Sequence, residues 1–142
     1  KYSSFTAYTK GVLRSRKGAC DPIVPEVIDV SSYDLLIIGT PVWAWKPAPA
    51  INAAVQGLRG CEGKMAVTFV TCCDQPGEAL PLLNNALTER GVEVMAEISL
   101  TPEDTKNPAL GNELLARIAA AFPVRPDDGK NGEGYEDRKK GE

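Results

Sequence analysis

The sequence predicts an α/β domain built on a parallel β-sheet, and two segments account for most of that prediction. Residues 34–45 and 65–77 each contain an apolar run in which polar residues do not alternate. Such runs are typical of strands that are buried on both faces of a parallel sheet. Each run stops at small, turn-forming residues and is followed by an amphipathic helix pattern, which indicates βαβ units with right-handed crossovers.

The elements at the start of the chain are weaker. A short helix is predicted over residues 10–17, because Gly18 interrupts the pattern there. Residues 23–30 form an apolar stretch that contains Pro25. Proline cannot donate a hydrogen bond within a sheet, so this strand is expected at a sheet edge. The first strong strand, over residues 35–38, follows.

Periodicity predicts a helix after each strong strand. After the first, apolar residues recur at i, i+3, i+4 and i+7, the spacing of one buried helix face: Ile51, Ala54, Val55 and Leu58. The second strong strand covers residues 65–70. The helix after it is marked by Leu80, Leu83 and Leu87 and ends at Gly91.

The last third of the chain adds one strand and one helix. Residues 92–100 alternate between apolar and polar, as in a half-exposed strand. A final helix is indicated by four apolar positions: Leu110, Leu114, Ile118 and Phe122. We therefore predict one domain over residues 1–124. Charges of both signs and glycines make residues 125–142 a predicted disordered tail.

Bulk composition excludes several classes of function. The net charge of −3 gives no electrostatic support for nucleic-acid binding, and no apolar stretch is long enough to cross a membrane. The chain has no histidine, which excludes histidine acid–base catalysis, the serine–histidine triad and most catalytic zinc sites. Four cysteines are too few for a disulfide framework, so a reducing, cytoplasmic location is expected.

Ligands of open parallel sheets bind just beyond the carboxyl ends of the strands. The loop expected after the first strong strand presents Trp43 and Trp45, which offer large flat surfaces at that place. One indole could stack on a planar ligand. Two tryptophans could equally cover the core or form a surface for a partner.

Three segments resemble the flavodoxin-like family. Residues 33–43 are similar to its third strand and first flavin-contacting loop, and residues 70–77 to its second flavin-contacting loop. The serine- and threonine-rich residues 2–9 resemble its phosphate loop. The resemblance implies a three-layer α/β fold with helices on both faces of a parallel sheet. It also implies non-covalent binding of FMN and electron transfer to a redox partner protein or a small-molecule acceptor.

The resemblance also implies which residues hold the cofactor. The phosphate would be bound by the first segment: Ser3, Ser4, Thr6, Ala7, Tyr8 and Thr9. The first flavin loop would contribute Thr40, Pro41, Val42 and Trp43, and the second would contribute Thr71, Cys72, Cys73, Asp74 and Gly77. No catalytic or metal-binding residue is expected. Helix capping and ordinary βα turns are the alternative explanations for these residues.

Two departures from the family pattern keep other functions open. Ala7 stands where the phosphate loop has glycine, and the family's first strand, in the middle of its sheet, would lie directly before Tyr2. An upstream segment, a rearranged sheet or a second chain could fill that gap, so a homo-oligomer is possible. A flavin-free binding or assembly domain on the same fold is therefore one alternative.

A second alternative is an FMN-dependent NAD(P)H or quinone reductase on the same fold. The second flavin loop contains no aromatic residue, so one face of the ring would remain open to a hydride donor or a quinone. Cys72 and Cys73 are adjacent and form no C-x-x-C motif, so they are expected to be small residues of a ligand loop rather than a redox pair.

Overall fold

The computed structural model describes residues 4–107, the first five of them by their backbone, together with residues 109, 111, 112, 115, 116 and 119. Three α-helices are α1 Ser4–Arg16, α2 Pro49–Gly57 and α3 Ala79–Thr88, and a 3₁₀ turn covers Asp104–Lys106. The strands are β1 Ile28–Asp29, β2 Leu35–Trp43, β3 Lys46–Pro47, β4 Leu58–Arg59, β5 Met65–Thr71 and β6 Glu93–Leu100.

The main sheet has four strands in the order β3-β2-β5-β6. β5 lies in the middle and pairs in parallel with β2 on one side and with β6 on the other. β3 pairs antiparallel with the last two residues of β2. The predicted α/β class with a parallel sheet is confirmed, and both strong strands are present.

The hydrophobic core lies between this sheet and the helices α2 and α3. Leu83 and Leu87 of α3 and Val55 of α2 pack against Leu36 of β2 and Ala66 of β5. All five side chains are buried. The helix faces expected from sequence periodicity are therefore the faces that the core uses, although Leu58 lies in β4 rather than in α2.

One polar side chain in this core is hydrogen-bonded to a neighbouring helix. Thr68 of β5 is fully buried, and its hydroxyl donates to Asn84 Oδ1 of α3 at 2.7 Å. The amide of Asn84 in turn donates to Glu97 Oε2 of β6 at 2.6 Å. This short chain of hydrogen bonds connects α3 to two strands and gives the buried Thr68 hydroxyl a partner.

β2 and β3 are joined by a tight hairpin whose turn consists of Ala44 and Trp45. Both residues have positive φ angles, 52° and 66°. The turn therefore has the left-handed backbone that suits two-residue hairpins, but without the usual Asn or Gly. Left-handed backbone costs an L-residue roughly 1–2 kcal/mol, so this turn stores strain.

The second edge of β2 is open along most of its length. Among the described residues, no strand pairs with that edge before Val42. A groove of about 260 Å³ runs beside it and is lined by apolar residues only: Ile28, Val30, Leu35, Leu36, Ile37, Ile38, Ala54, Val55 and Leu58. β1 pairs with β4 instead of joining the main sheet.

Three sequence-based expectations need correction. β2 continues to Trp43, so Thr40, Pro41, Val42 and Trp43 are strand residues and the loop is only the two-residue turn. Pro41 is the last β2 residue paired with β5, and β3 pairs with β2 only from Val42 on, so Pro41 lies where the other edge of β2 has no partner among the described strands, as a proline within a strand requires. The strand predicted over residues 23–30 is reduced to Ile28–Asp29.

The third correction concerns the predicted phosphate loop. α1 begins at Ser4, six residues before the predicted helix, so Thr6, Ala7, Tyr8 and Thr9 are helical. With no proline and no glycine before Gly11, nothing in this segment interrupts the helix. Ser3 lies outside the described residues.

Contacts divide the chain into two units, Lys1–Pro108 and Ala109–Glu142, and all the named elements belong to the first. In the second unit the described residues are helical. The four apolar positions of the predicted last helix and the predicted tail over residues 125–142 fall outside the described part. Among the described helices, none has the length and apolarity to span a membrane.

Asn84→Leu should lower the free energy of unfolding by about 1–3 kcal/mol, because it leaves the buried Thr68 hydroxyl without a partner. Urea denaturation measures the change. Asn85→Leu, at the neighbouring exposed position, is the control and should change stability by less than about 0.5 kcal/mol. Adding Thr68→Val to Asn84→Leu should recover much of the loss. A double variant whose loss in the free energy of unfolding equals the sum of the losses in the two single variants would contradict this explanation.

Candidate functional site

A cavity of about 500 Å³ lies beyond the carboxyl ends of three parallel strands. We call it the crest cavity. Its volume is within the range of about 300–1,000 Å³ that small-molecule sites occupy. Its lining combines residues of α1, of the β2–β3 hairpin and of the segments that follow β5 and β6: Val12, Pro41, Val42, Trp43, Ala44, Thr71, Cys72, Cys73, Leu100, Thr101 and Pro102.

Strand register places the three walls of the cavity side by side. Pro41 of β2 is paired with Thr71 of β5, and Thr71 is paired with Leu100 of β6. The two parallel ladders therefore end at the same level, and the residues after Pro41, Thr71 and Leu100 meet at one edge of the sheet. This is where a ligand is expected in an open parallel sheet.

Trp43 forms the first wall. Its side chain is 37% exposed, so the indole is neither buried in the core nor free in solvent. One edge of the indole rests on Gly11 of α1, where an added Cβ would lie 2.3 Å from the ring. Ser15, one turn farther along α1, directs its hydroxyl to the carbonyl oxygens of Trp43 at 2.6 Å and Pro47 at 3.0 Å. α1 therefore fixes the position of the indole.

Cys72 and Cys73 form the second wall. The amide of Cys72 donates to the carbonyl of Leu100 at 3.0 Å, and its buried sulfur lies 3.5 Å from the Ser99 hydroxyl. Cys73 is exposed at the cavity. The amides of Cys73 and Asp74 take part in none of the turn and loop hydrogen bonds between described backbone groups, so they are free to donate to a ligand.

The third wall, Leu100 to Pro102, was not predicted from the sequence. Asp104 accepts hydrogen bonds from the amide and the hydroxyl of Thr101, both at 2.8 Å, and its own amide points back to that hydroxyl at 3.3 Å. These hydrogen bonds lower the pKa of the Asp104 carboxyl below its ordinary value of 3.8. The T-x-x-D spacing after the third strand is the capping-box signal that could have indicated this ordered turn.

The structure brings together six of the predicted site residues, and three others lie outside this lining. Pro41, Val42, Trp43, Thr71, Cys72 and Cys73 line the crest cavity. Thr40 does not: it is buried, and its hydroxyl accepts from the Ala48 amide at 3.0 Å and donates to the Pro41 carbonyl. Asp74 is outside the lining, and Gly77 packs beneath Trp45 in a neighbouring cleft.

The lining determines which ligands suit the cavity. None of its described residues is charged, and the described residues contain no cluster that could hold a metal ion. An indole on one side, prolines and aliphatic groups elsewhere, and the free amide of Cys73 at one margin suit a flat heterocycle with a polar edge. The described lining holds no cationic side chain that could pair with the phosphate of a nucleotide.

The fold is similar to that of three bacterial proteins of known structure. A flavoprotein from Lactobacillus acidophilus NCFM, crystallised in complex with FMN, superposes with a TM-score of 0.54 and 19% identity over 70% of this chain and 66% of that one. A presumed flavoprotein from Bacteroides uniformis gives a TM-score of 0.55 with 17% identity over 70% of this chain and 62% of that one. Another, from Bacteroides eggerthii, gives 0.61 with 18% identity over 87% and 76%.

The chain thus spans about two thirds or less of the length of the first two proteins. No protein-family model matches the sequence, and no curated protein is similar to it. At these identities the likeness concerns the fold: the chain has the α/β architecture, with an open parallel sheet, of these flavoproteins.

Proposed function

We propose that this protein binds FMN with the flavin ring in the crest cavity and transfers electrons between redox partners. The observation that supports this most is a half-exposed indole in a cavity without charged side chains among its described lining, at the point where the parallel pairing of three strands ends. The FMN complex of the Lactobacillus acidophilus flavoprotein, which has a similar fold, is further support.

The lining residues would bind and orient the ring. Trp43 would stack on one face of it, which removes water and disfavours additional negative charge on the reduced ring. The amides of Cys73 and Asp74 would donate to the polar edge of the ring. FMN, when bound, supplies one- and two-electron transfer, and the protein tunes that chemistry through stacking, hydrogen bonds and the exclusion of water.

The phosphate group would lie at the beginning of α1. The amides of the first turn of a helix have no partner within the helix, and the helix dipole favours an anion there. Ser4 and Thr6 belong to that turn, and Ser3 precedes Ser4 in the sequence. Tyr8 and Thr9 lie beyond the first turn, so we assign them no phosphate contact.

The free edge of β2 fits the same proposal. The resemblance to flavodoxin-like proteins places one more strand beside β2, and the apolar groove along that edge has the lining that a buried strand needs. A strand of the same protein or of a second copy would pair there, and pairing through a second copy would produce a homo-oligomer.

A reductase that accepts hydride from NAD(P)H is the second candidate. The wall across the cavity from Trp43 consists of Leu100, Thr101 and Pro102, so the described lining holds no second aromatic ring. One face of a bound flavin would remain accessible to a hydride donor or to a quinone.

Rapid anaerobic mixing with NADPH should distinguish the carrier from the reductase. For an electron carrier, the flavin absorbance near 450 nm should persist for minutes, because NADPH has no dedicated binding site from which to transfer hydride. Bleaching within seconds, with a rate that saturates with NADPH, would favour the reductase. Reduction by dithionite is the control that the flavin remains reducible.

Purified protein titrated with FMN should quench flavin fluorescence and retain yellow colour after gel filtration. Trp43→Ala should weaken FMN binding by about tenfold, since aromatic stacking contributes about 0.5–1.5 kcal/mol in addition to the buried area. Trp43→Phe should restore much of the affinity, and Trp45→Phe, outside the lining, should change it little. A colourless protein that leaves FMN fluorescence unchanged would refute FMN binding and favour a flavin-free binding domain.

Cys73 reports where FMN binds, because it is the exposed thiol of the cavity lining. Bound FMN should slow its alkylation by iodoacetamide by a factor near 1 + [FMN]/Kd, roughly tenfold at ten times Kd. Mass spectrometry of peptides measures the rate. Cys20, partly exposed and outside the lining, is the internal control. Equal protection of both thiols, or of neither, would place FMN elsewhere.

A further inference from the structure

Trp45 is displayed to solvent at the tip of a strained turn. Its side chain is 63% exposed, and its backbone, like that of Ala44, has a positive φ. A strained backbone in L-residues persists only where contacts with the surrounding structure hold it in that conformation, and such positions cluster at functional sites. An asparagine or a glycine would relieve the turn but would not present an indole.

The neighbouring residues hold this turn in place. The amide of Glu78 donates to the carbonyl of Trp45 at 2.8 Å. Gly77 packs so closely beneath Trp45 that an added Cβ would lie 2.5 Å from the Trp45 Cβ. Because its backbone is fixed on two sides, the indole loses little further freedom when a partner covers it.

The surroundings of Trp45 are basic in a chain that is acidic as a whole. Arg16 and Lys46 line the same cleft as Trp45, which has a volume of about 450 Å³. Glu78 is the one carboxylate of that lining among the described residues, and it already lies 3.6 Å from the Lys46 ammonium. The charged residues of α1 are all basic, Lys10, Arg14 and Arg16, and Arg14 pairs with Asp21.

This cleft adjoins the crest cavity without being part of it. Ala44 lines both, whereas Trp45, Arg16 and Lys46 line only the cleft. A partner seated on Trp45 would therefore be within a few residues of the ring that the proposed function places in the cavity.

We propose that Arg16, Trp45 and Lys46, together the Trp45 rim, dock an acidic surface of the protein that exchanges electrons with this one. The proposal rests on the proposed function, because it assigns the partner to the same site. Tryptophan and arginine are the residues that dominate binding energy at protein interfaces. Basic charges around them would speed the approach of an acidic partner and reject a basic one.

Fluorescence quenching tests the charge of the rim on the protein alone. In a Trp43→Phe background, Trp45 is the remaining tryptophan. With each ion normalised to its quenching of free N-acetyltryptophanamide, iodide should quench Trp45 at least about twofold more strongly than caesium, because the basic side chains concentrate anions. Removing charge with Arg16→Gln and Lys46→Gln should abolish the difference. Equal quenching by both ions in the starting protein would overturn the proposal.

Binding to model redox proteins tests the docking itself. The probes are the acidic soluble domain of cytochrome b5 and the basic cytochrome c, each titrated at low salt. Trp45→Ala should weaken binding of cytochrome b5 more than about fivefold, and Arg16→Gln and Lys46→Gln about twofold each with a smaller salt dependence. The control is Arg59→Gln in β4, outside both the cleft and the crest cavity, where the guanidinium donates to the carbonyl groups of Gln56 and Leu58.

The absorbance of bound FMN, read in the same samples, separates the two proposals. Loss of cytochrome b5 binding in Trp45→Ala supports the Trp45 rim whether the protein is yellow or colourless. A colourless protein would count against the FMN proposal and would leave the rim proposal standing. Tighter binding of cytochrome c, or cytochrome b5 binding that Trp45→Ala and Arg16→Gln leave unchanged, would overturn the rim.

Discussion

The parallel register of three strands is the constraint on which the rest of this structure depends. Backbone hydrogen bonds hold Pro41, Thr71 and Leu100 at one level, so three separate connections begin at the same edge of the sheet. A shift of one residue in either ladder would turn every side chain of the shifted strand to the opposite face. It would also separate the walls of the crest cavity, because each wall continues directly from its strand.

Side-chain hydrogen bonds to the backbone keep the cavity open. The Thr40 hydroxyl is occupied by the amide of Ala48, Ser15 joins α1 to the hairpin, and Asp104 closes the turn after β6. These polar side chains satisfy backbone groups that the ends of strands leave unpaired. The cavity walls are thus ordered largely by residues beside the lining, and the described lining carries no charged side chain.

The hairpin turn connects the two proposed sites. The turn directs Trp43 and Trp45 to different sides, Trp43 towards the crest cavity and Trp45 towards solvent. The relaxed backbone of an Asn-Gly turn would give the same hairpin without the second indole. The turn of Ala44 and Trp45 is therefore locally strained, and the proposed ring site and the proposed docking surface share this one short segment.

The sequence by itself determined the α/β class, both strong strands and the buried faces of α2 and α3, because apolar periodicity depends on each segment alone. It also indicated two of the three cavity walls. Only the tertiary structure decided how α1 packs on the β2–β3 hairpin, how far β2 extends and that the turn at Thr101 becomes a wall of the cavity. Such features depend on which distant group satisfies a side chain: the Thr40 hydroxyl could have faced a ligand, and it faces Ala48 because the chain returns there eight residues later.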